Sequence, residues 1–377
     1  MDSDARLPEE QSSLFGFDAA QSLLLDLWNR GTLAGAWLFC GLKGIGKATL
    51  AYRLARFVLA QPDNNDGGLF GAPEPPESLD ISESNPVFGT IAQRTNPGLK
   101  VVEFALKDDE VKDRQALIDA GKPLDPEIEN KRKRYDEIRV TDIRDAENFL
   151  HLTAGANGWR VMIIDAADDM NINAENALLK SLEEPPAKTL IILISHVPGK
   201  LLPTIRSRCR KLLLKPLPDE ILTNLLKTKI NDLDADELIA LTRLAQGSLG
   251  RALSLHDANG VKIFRQMLAL FDDFPLYSVS KLYDLVEKTL KDKNTLKMAQ
   301  TLLLQWLTKV CVCGGKGEDD AEIFAGEIAL RERVRQHIPV LRLMDLINEI
   351  SRGFADIDLD QKQVFVNAFS KLQQGAK

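Results

Sequence analysis

Hydrophobic and polar positions follow two regimes along this chain. Up to residue 214, short apolar runs alternate with segments of helical spacing. Ala36–Cys40 (AWLFC), Arg160–Asp165 (RVMIID) and Leu190–Ser195 (LIILIS) are nearly unbroken apolar runs, the pattern of strands buried on both faces. Leu99–Leu106 and Lys211–Leu214 read as two further strands. Residues 17–30, 48–60, 143–152 and 173–184 carry apolar residues at helical spacing. Gly31 is placed to end the first of these, and Pro185-Pro186 to stop the last, with Asn173 as its N-cap. This alternation predicts a parallel sheet with helices on both faces. After Pro216 strand signals cease, and 219–256 and 262–377 show only helical periodicity, as in Met298–Val310 and Val340–Ile350.

The pattern divides the chain into an α/β domain over 1–215, a helical domain over 216–258 and a second helical domain over 259–377. Pro216-Leu217-Pro218 marks the first boundary, and His256–Gly260 the second. An insert at about 61–136 interrupts the first domain. Its 61–97 stretch is rich in Pro, Gly, Asn, Asp and Ser and reads as a long loop or partly disordered insert. Residues 107–134 are densely charged and end in Lys131-Arg132-Lys133-Arg134. Acidic neighbours make that cluster a solvated helix or loop rather than a nucleic-acid site.

Composition narrows the function classes. Of 377 residues, 44% are hydrophobic and 27% charged, the balance of a soluble globular protein. A net charge of −7 argues against a stand-alone DNA coater, which would carry a basic field. No apolar run reaches the roughly 18–20 residues of a membrane helix. The opening MDSDARLPEEQSS lacks the basic and apolar regions of a secretory signal, so a cytoplasmic location is expected. Cys40, Cys209, Cys311 and Cys313 form no C-x-x-C pair, and no zinc site is expected. They read as buried small hydrophobes. Cys311 and Cys313, two apart on a helix, would point away from each other, which disfavours a disulfide.

The strongest chemical signal is Gly41-Leu-Lys-Gly44-Ile-Gly46-Lys47, a G-x-x-x-x-G-K loop between a strand and a helix. Its glycines let backbone N–H groups turn toward a phosphate, and Lys47 would meet the β- and γ-phosphates at the helix N-terminus. The next position normally supplies a hydroxyl to Mg²⁺. Here it is Ala48, and Thr49 lies one residue later, about 100° round the helix. Asp165 ends the second strand and could hold Mg²⁺ through water. Many ATPases follow it with a glutamate that polarises the attacking water, but here Ala166 follows, with Asp168 and Asp169 further on. Two losses at separate positions predict no efficient hydrolysis by this chain alone, since phosphoryl transfer depends on both. The loop is either a binding site for ATP or ADP with Mg²⁺ or a retained scaffold.

Several segments together resemble bacterial DNA polymerase III clamp-loader subunits of the AAA+ class. They are GAWLFCGLKGIGKATLAYRLA (35–55), AENALLKSLEEPP (174–186), LLPTIRSRC (201–209), GSLGRALSL (247–255) and DLDQKQVFVNAF (358–369). The degenerate ATPase positions make the chain look like the delta-prime subunits rather than the gamma/tau motors. The resemblance implies a RecA-like AAA+ P-loop domain, a helical lid over 216–258 and a C-terminal helical collar over 259–377. It implies a ring with gamma/tau motors and a delta subunit that uses ATP to open a sliding clamp and close it on primed DNA. It also implies that Arg208, in Ser207-Arg208-Cys209, acts as an arginine finger in trans on a neighbour's nucleotide. Arginine suits that task because it stays charged and forks onto phosphate oxygens. The ordinary alternative is a surface ion pair, and Arg206 is a nearby competitor outside the three-residue match.

Departures from the family's pattern refine this. Many relatives carry a cysteine-rich zinc module after the P-loop helix, and residues 61–97 hold no cysteine. Motor subunits place a lid arginine where Gly250 stands here, with Arg251 displaced by about 100°. Ser195 stands where motors sense phosphate, and His196 after it reads as structural. Lys180 is a candidate for DNA contact inside the ring. The competing reading is an ATP-hydrolysing motor that uses Thr49 and Asp168 as stand-ins. A P-loop kinase leaves the LEEPP and SRC segments without a role.

Overall fold

In the computed structural model of the chain, the described residues are 7–62, 75–119, 132–151, 158–231, 233–312, 322–356 and 359–376. They fall into two compact units, Met1–Pro216 and Leu217–Lys377.

Among its described residues the first unit holds five parallel strands. Helix α1 spans Asp18–Asn29, and strand β1, Gly35–Cys40, leads into α2, Lys47–Ala60. Then come α3 (Pro86–Ala92), β2 (Leu99–Val102), α4 (Asp108–Asp119) and α5 (Val140–His151). Strand β3 (Arg160–Ile164), helix α6 (Ile172–Glu183), strand β4 (Thr189–Ser195), helix α7 (Pro203–Arg208) and strand β5 (Arg210–Leu213) complete it. The spatial order is β2-β3-β4-β1-β5. Trp37 pairs with Ile192 on one side and Arg210 on the other, and Ile163 also pairs with Ile192. The inner strands are buried along nearly their whole length, as the unbroken apolar runs predict. Two apolar layers flank the sheet. One packs α2 on Trp37, Phe39 and Ile163; the other packs α5 and α6 on Leu38, Met162 and Leu193.

Three expectations are corrected here. The 61–97 stretch contains a helix, α3, because Asn85 caps it by accepting from the Val87 N–H, Pro86 opens it, and Phe88 and Ile91 are buried. The strand read over 99–106 ends at Val102, where β3, its one neighbour among the described residues, ends its pairing at Ile164. Asn171, not Asn173, caps α6: its backbone is extended and its Oδ1 accepts from Ala174 N at 3.0 Å. Within the charged 107–134 stretch, Asp108–Asp119 form α4, which buries no residue and so is a solvated helix as expected. Residues 120–131, including Lys131, lie outside the described set.

An additional feature precedes the sheet. Residues 7–16 lie along α2, held by the almost fully buried Arg56, which donates to the carbonyls of Glu9 (3.3 Å) and Gln11 (2.5 Å). Arg53 adds a bond to Ser12 O at 2.7 Å.

The second unit is helical throughout its described residues. It comprises α8 (Asp219–Lys229), α9 (Ala235–Ala245), α10 (Leu249–Asp257), α11 (Gly260–Leu268), α12 (Val279–Asp284), α13 (Lys293–Val312), α14 (Glu327–His337), α15 (Val340–Ala355) and α16 (Gln361–Gly375). One apolar core runs from Leu217 to Leu372, with Phe271 at its aromatic centre against Trp306 and Phe369.

Candidate nucleotide site and arginine helix

Parallel strands put all their C-terminal tips on one edge of the sheet, and there the chain gathers its phosphate-site residues. The Gly41 N–H donates to Ser195 O at 3.3 Å, so the loop after β1 starts against the end of β4. Gly41, Gly44 and Gly46 have φ of +155°, +77° and +105°, values that favour glycine. At Gly41 a Cβ would meet Leu214 O at 2.5 Å and Ile45 Cδ1 at 2.7 Å. Leu14 and Phe17 approach Gly46, so the segment before α1 covers the start of α2.

Lys47 is 3% exposed, and its Nζ donates to the carbonyls of Gly41 at 2.8 Å and Leu42 at 2.7 Å. Burial lowers its pKa to about 8, against the opposing pull of Asp165 and Asp168. Asp165 follows β3, and burial raises its pKa despite nearby His196 and Lys47. Gly41, Gly44, Gly46, Lys47, Asp165 and Ser195 are therefore brought to one edge. Thr49 sits half-buried in the first turn of α2, and Ala48 offers no hydroxyl. These residues fit a phosphate chain at a loop and helix N-terminus, with one carboxylate, Asp165, for a water-held Mg²⁺. Ala166 takes the left-handed conformation (φ 59°) and opens the short turn Ala167–Asp169.

Asp168 does not stand free for catalysis. Its Oδ2 accepts from the backbone N–H of His196 (2.7 Å) and Val197 (3.1 Å) and lies 3.4 Å from His196 Nδ1. Burial alone would raise its pKa, but these bonds, with Ser195 beside them, hold the carboxyl well below its usual value. Asp168 and His196 thus form a clamp that fixes the end of β4. The sequence reading took His196 as structural, and its side chain serves that clamp.

Arg208 lies elsewhere. It ends α7, two residues before Arg210, which pairs with Trp37. That is the edge where the parallel strands begin. From the Trp37 level, four residues of strand, about 13 Å, separate it from the Gly41 loop. Arg208 Nε donates to Glu183 Oε1 at 2.7 Å, Nη2 lies 2.5 Å from the same oxygen, and Nη1 donates to Thr204 O at 3.1 Å. The ion pair of the ordinary reading is thus present, with a third of the side chain exposed. At the other end of α7, the buried Glu175 accepts from the Leu202 N–H at 2.7 Å. Sequence reasoning missed both carboxylates. Their signal lies in the quoted 174–186 segment, where they stand eight residues apart on α6.

Cys40 and Cys209 are buried thiols and Cys311 is partly buried; Cys313 lies outside the described residues. Burial pushes the Cys209 thiol up to about 12. Among the described residues no cluster of three or more His, Cys, Asp or Glu could hold a metal ion, and no helix is long and apolar enough to cross a membrane. Lys180 lies exposed in the last turn of α6.

Comparison with known proteins gives a consistent family. A "DNA polymerase III subunit delta'" of Pseudomonas aeruginosa is 34% identical over 237 residues, 63% of this chain and 60% of that protein. The Escherichia coli K12 delta' subunit is 37% identical over 123 residues, 33% of this chain and 36% of that one. A "DNA polymerase III subunit gamma" of Buchnera aphidicola is 26% identical over 252 residues, 66% of this chain and 58% of that protein. The chain thus spans less than two thirds of the length of these relatives. A Thermotoga maritima gamma subunit-related protein of known structure is 17% identical at a TM-score of 0.39, covering 94% of this chain and all of that one. The family model described as "DNA polymerase III, delta subunit" matches residues 18–218. With more than half of its length matched, the chain belongs to the DNA polymerase III, delta subunit family.

Proposed function

We propose that the chain is a delta-prime-like stator of the DNA polymerase III clamp loader, which helps load the sliding clamp onto primed DNA. In this reading it sits in a hetero-oligomeric cytoplasmic ring with gamma/tau motors and a delta subunit. Residues 216–258 serve as the lid and 259–377 as the collar. Any ATP or ADP with Mg²⁺ held at Gly41–Lys47 and Asp165 is bound rather than turned over.

The observation that carries this reading is the separation of Arg208 from the chain's own phosphate loop. An arginine at the opposite edge of the sheet can meet a γ-phosphate only on another subunit. Arginines presented in trans are worth about 10³–10⁵ in rate in other phosphoryl-transfer systems. The chain's own site supports the same division of labour. Ala48 and Ala166 replace the hydroxyl and the base, and Asp168, the stand-in a motor would need, is committed to His196 and Val197.

The test is turnover by the isolated chain. The stator reading expects no ATP hydrolysis above background, with Lys47→Ala indistinguishable from wild type. Turnover that disappears in Lys47→Ala would establish the motor reading instead.

A further inference from the structure

Helix α7 is held by α6 at both ends. Glu175, in the first turn of α6, takes the Leu202 N–H where α7 begins. Glu183, the last residue of α6, takes the Arg208 guanidinium where α7 ends. The two helices descend side by side from the same edge of the sheet, so one element fixes the height and tilt of the other.

The chemistry at the lower contact is specific. A guanidinium has two forked edges. Glu183 Oε1 occupies the Nε–Nη2 edge, and Thr204 O takes one N–H of Nη1. These bonds use three of the five N–H groups and leave one on Nη1 and one on Nη2 without a partner among the described residues. Glu183 therefore orients Arg208 and leaves an N–H on each terminal nitrogen for a phosphate.

We propose that Glu183 is a positioning residue for the trans arginine: it holds Arg208 by one edge so that the remaining N–H groups face the neighbouring subunit's nucleotide. This rests on the stator reading above. The pair is exposed, and exposed ion pairs contribute little to folding stability. Its contribution lies in geometry, where a misplacement of about 1 Å can cost up to 10²-fold in rate.

The experiment uses the full chain in a loader reconstituted with motor and delta subunits, with clamp- and DNA-stimulated ATPase as readout. Glu183→Ala is expected to lower kcat about 5- to 10-fold, with the KM for ATP and the assembled complex unchanged. Glu183→Gln keeps an Oε1 acceptor and should recover most of that loss. The melting temperature of the isolated Glu183→Ala chain should stay within about 2 °C of wild type. In an Arg208→Ala background, Glu183→Ala should cost nothing further. A wild-type rate in Glu183→Ala alongside an impaired Arg208→Ala would overturn the positioning role and leave the finger standing. So would a faster rate in Glu183→Ala, or a loss that persists without Arg208. If Arg208→Ala itself is at wild-type rate, the stator reading fails and this inference falls with it.

Discussion

Lys47 Nζ donates to the carbonyl oxygen of Gly41, six residues earlier, at 2.8 Å. With its second bond to Leu42 O, the lysine is folded onto the loop from which it would reach a phosphate. Burial leaves it with a pKa of about 8 against an ordinary 10.5. Between those values the unfolded chain binds more protons than the folded one, so stability rises with pH. The gap between Lys47→Met and wild type should therefore shift in favour of wild type by about 1–2 kcal/mol from pH 7.5 to 9.5. Urea unfolding at the two pH values measures it. A pH-independent gap would mean that Lys47 titrates normally.

Asp168 has the opposite sign. Its carboxyl is held below the usual 3.8, so its stabilisation is present above that value and fades as pH falls through it. Asp168→Ala should cost about 2–3 kcal/mol near neutral pH, because the His196 and Val197 N–H groups lose a charged acceptor. The cost should shrink between pH 5 and 3, as denaturant midpoints would show.

Gly41→Ala tests the loop geometry. The added methyl would sit 2.5 Å from a backbone oxygen in a conformation that L-residues rarely adopt. A loss of about 2 kcal/mol or more in thermal unfolding is expected. A neutral effect would show that the loop relaxes freely.

The fold was legible where the physics is local. Unbroken apolar runs place β1, β3 and β4, and the glycine spacing places the loop that joins β1 to α2. What escaped depends on distance or competition. Helix α3 lies in a stretch whose loop-like composition masks Phe88 and Ile91. Two asparagines stand at 171 and 173, and the backbone at 171 decides which one caps. Residues 7–16 read as a polar terminus because nothing in them reveals that Arg56, over 40 residues away, collects their carbonyls. In the candidate site, Asp165 and the glycines were readable from spacing. The clamp from Asp168 to His196 and the hold of Glu183 on Arg208 join residues 28 and 25 positions apart.

Arg56 provides a check on that terminal segment. Its guanidinium is buried, 4.5 Å from the centre of the Phe88 ring. Arg56→Ala should cost about 2–3 kcal/mol and raise amide exchange across residues 7–16 before the rest of the unit opens. Unchanged exchange there would mean that other contacts hold the segment.

The central claim is that this subunit contributes Arg208 to a site it does not own. Its most direct test is the clamp- and DNA-stimulated ATPase of a reconstituted loader carrying Arg208→Ala in this chain alone. A fall of about tenfold or more, in a complex that still assembles, is the predicted result. A wild-type rate would contradict it and leave Arg208 as no more than the surface partner of Glu183.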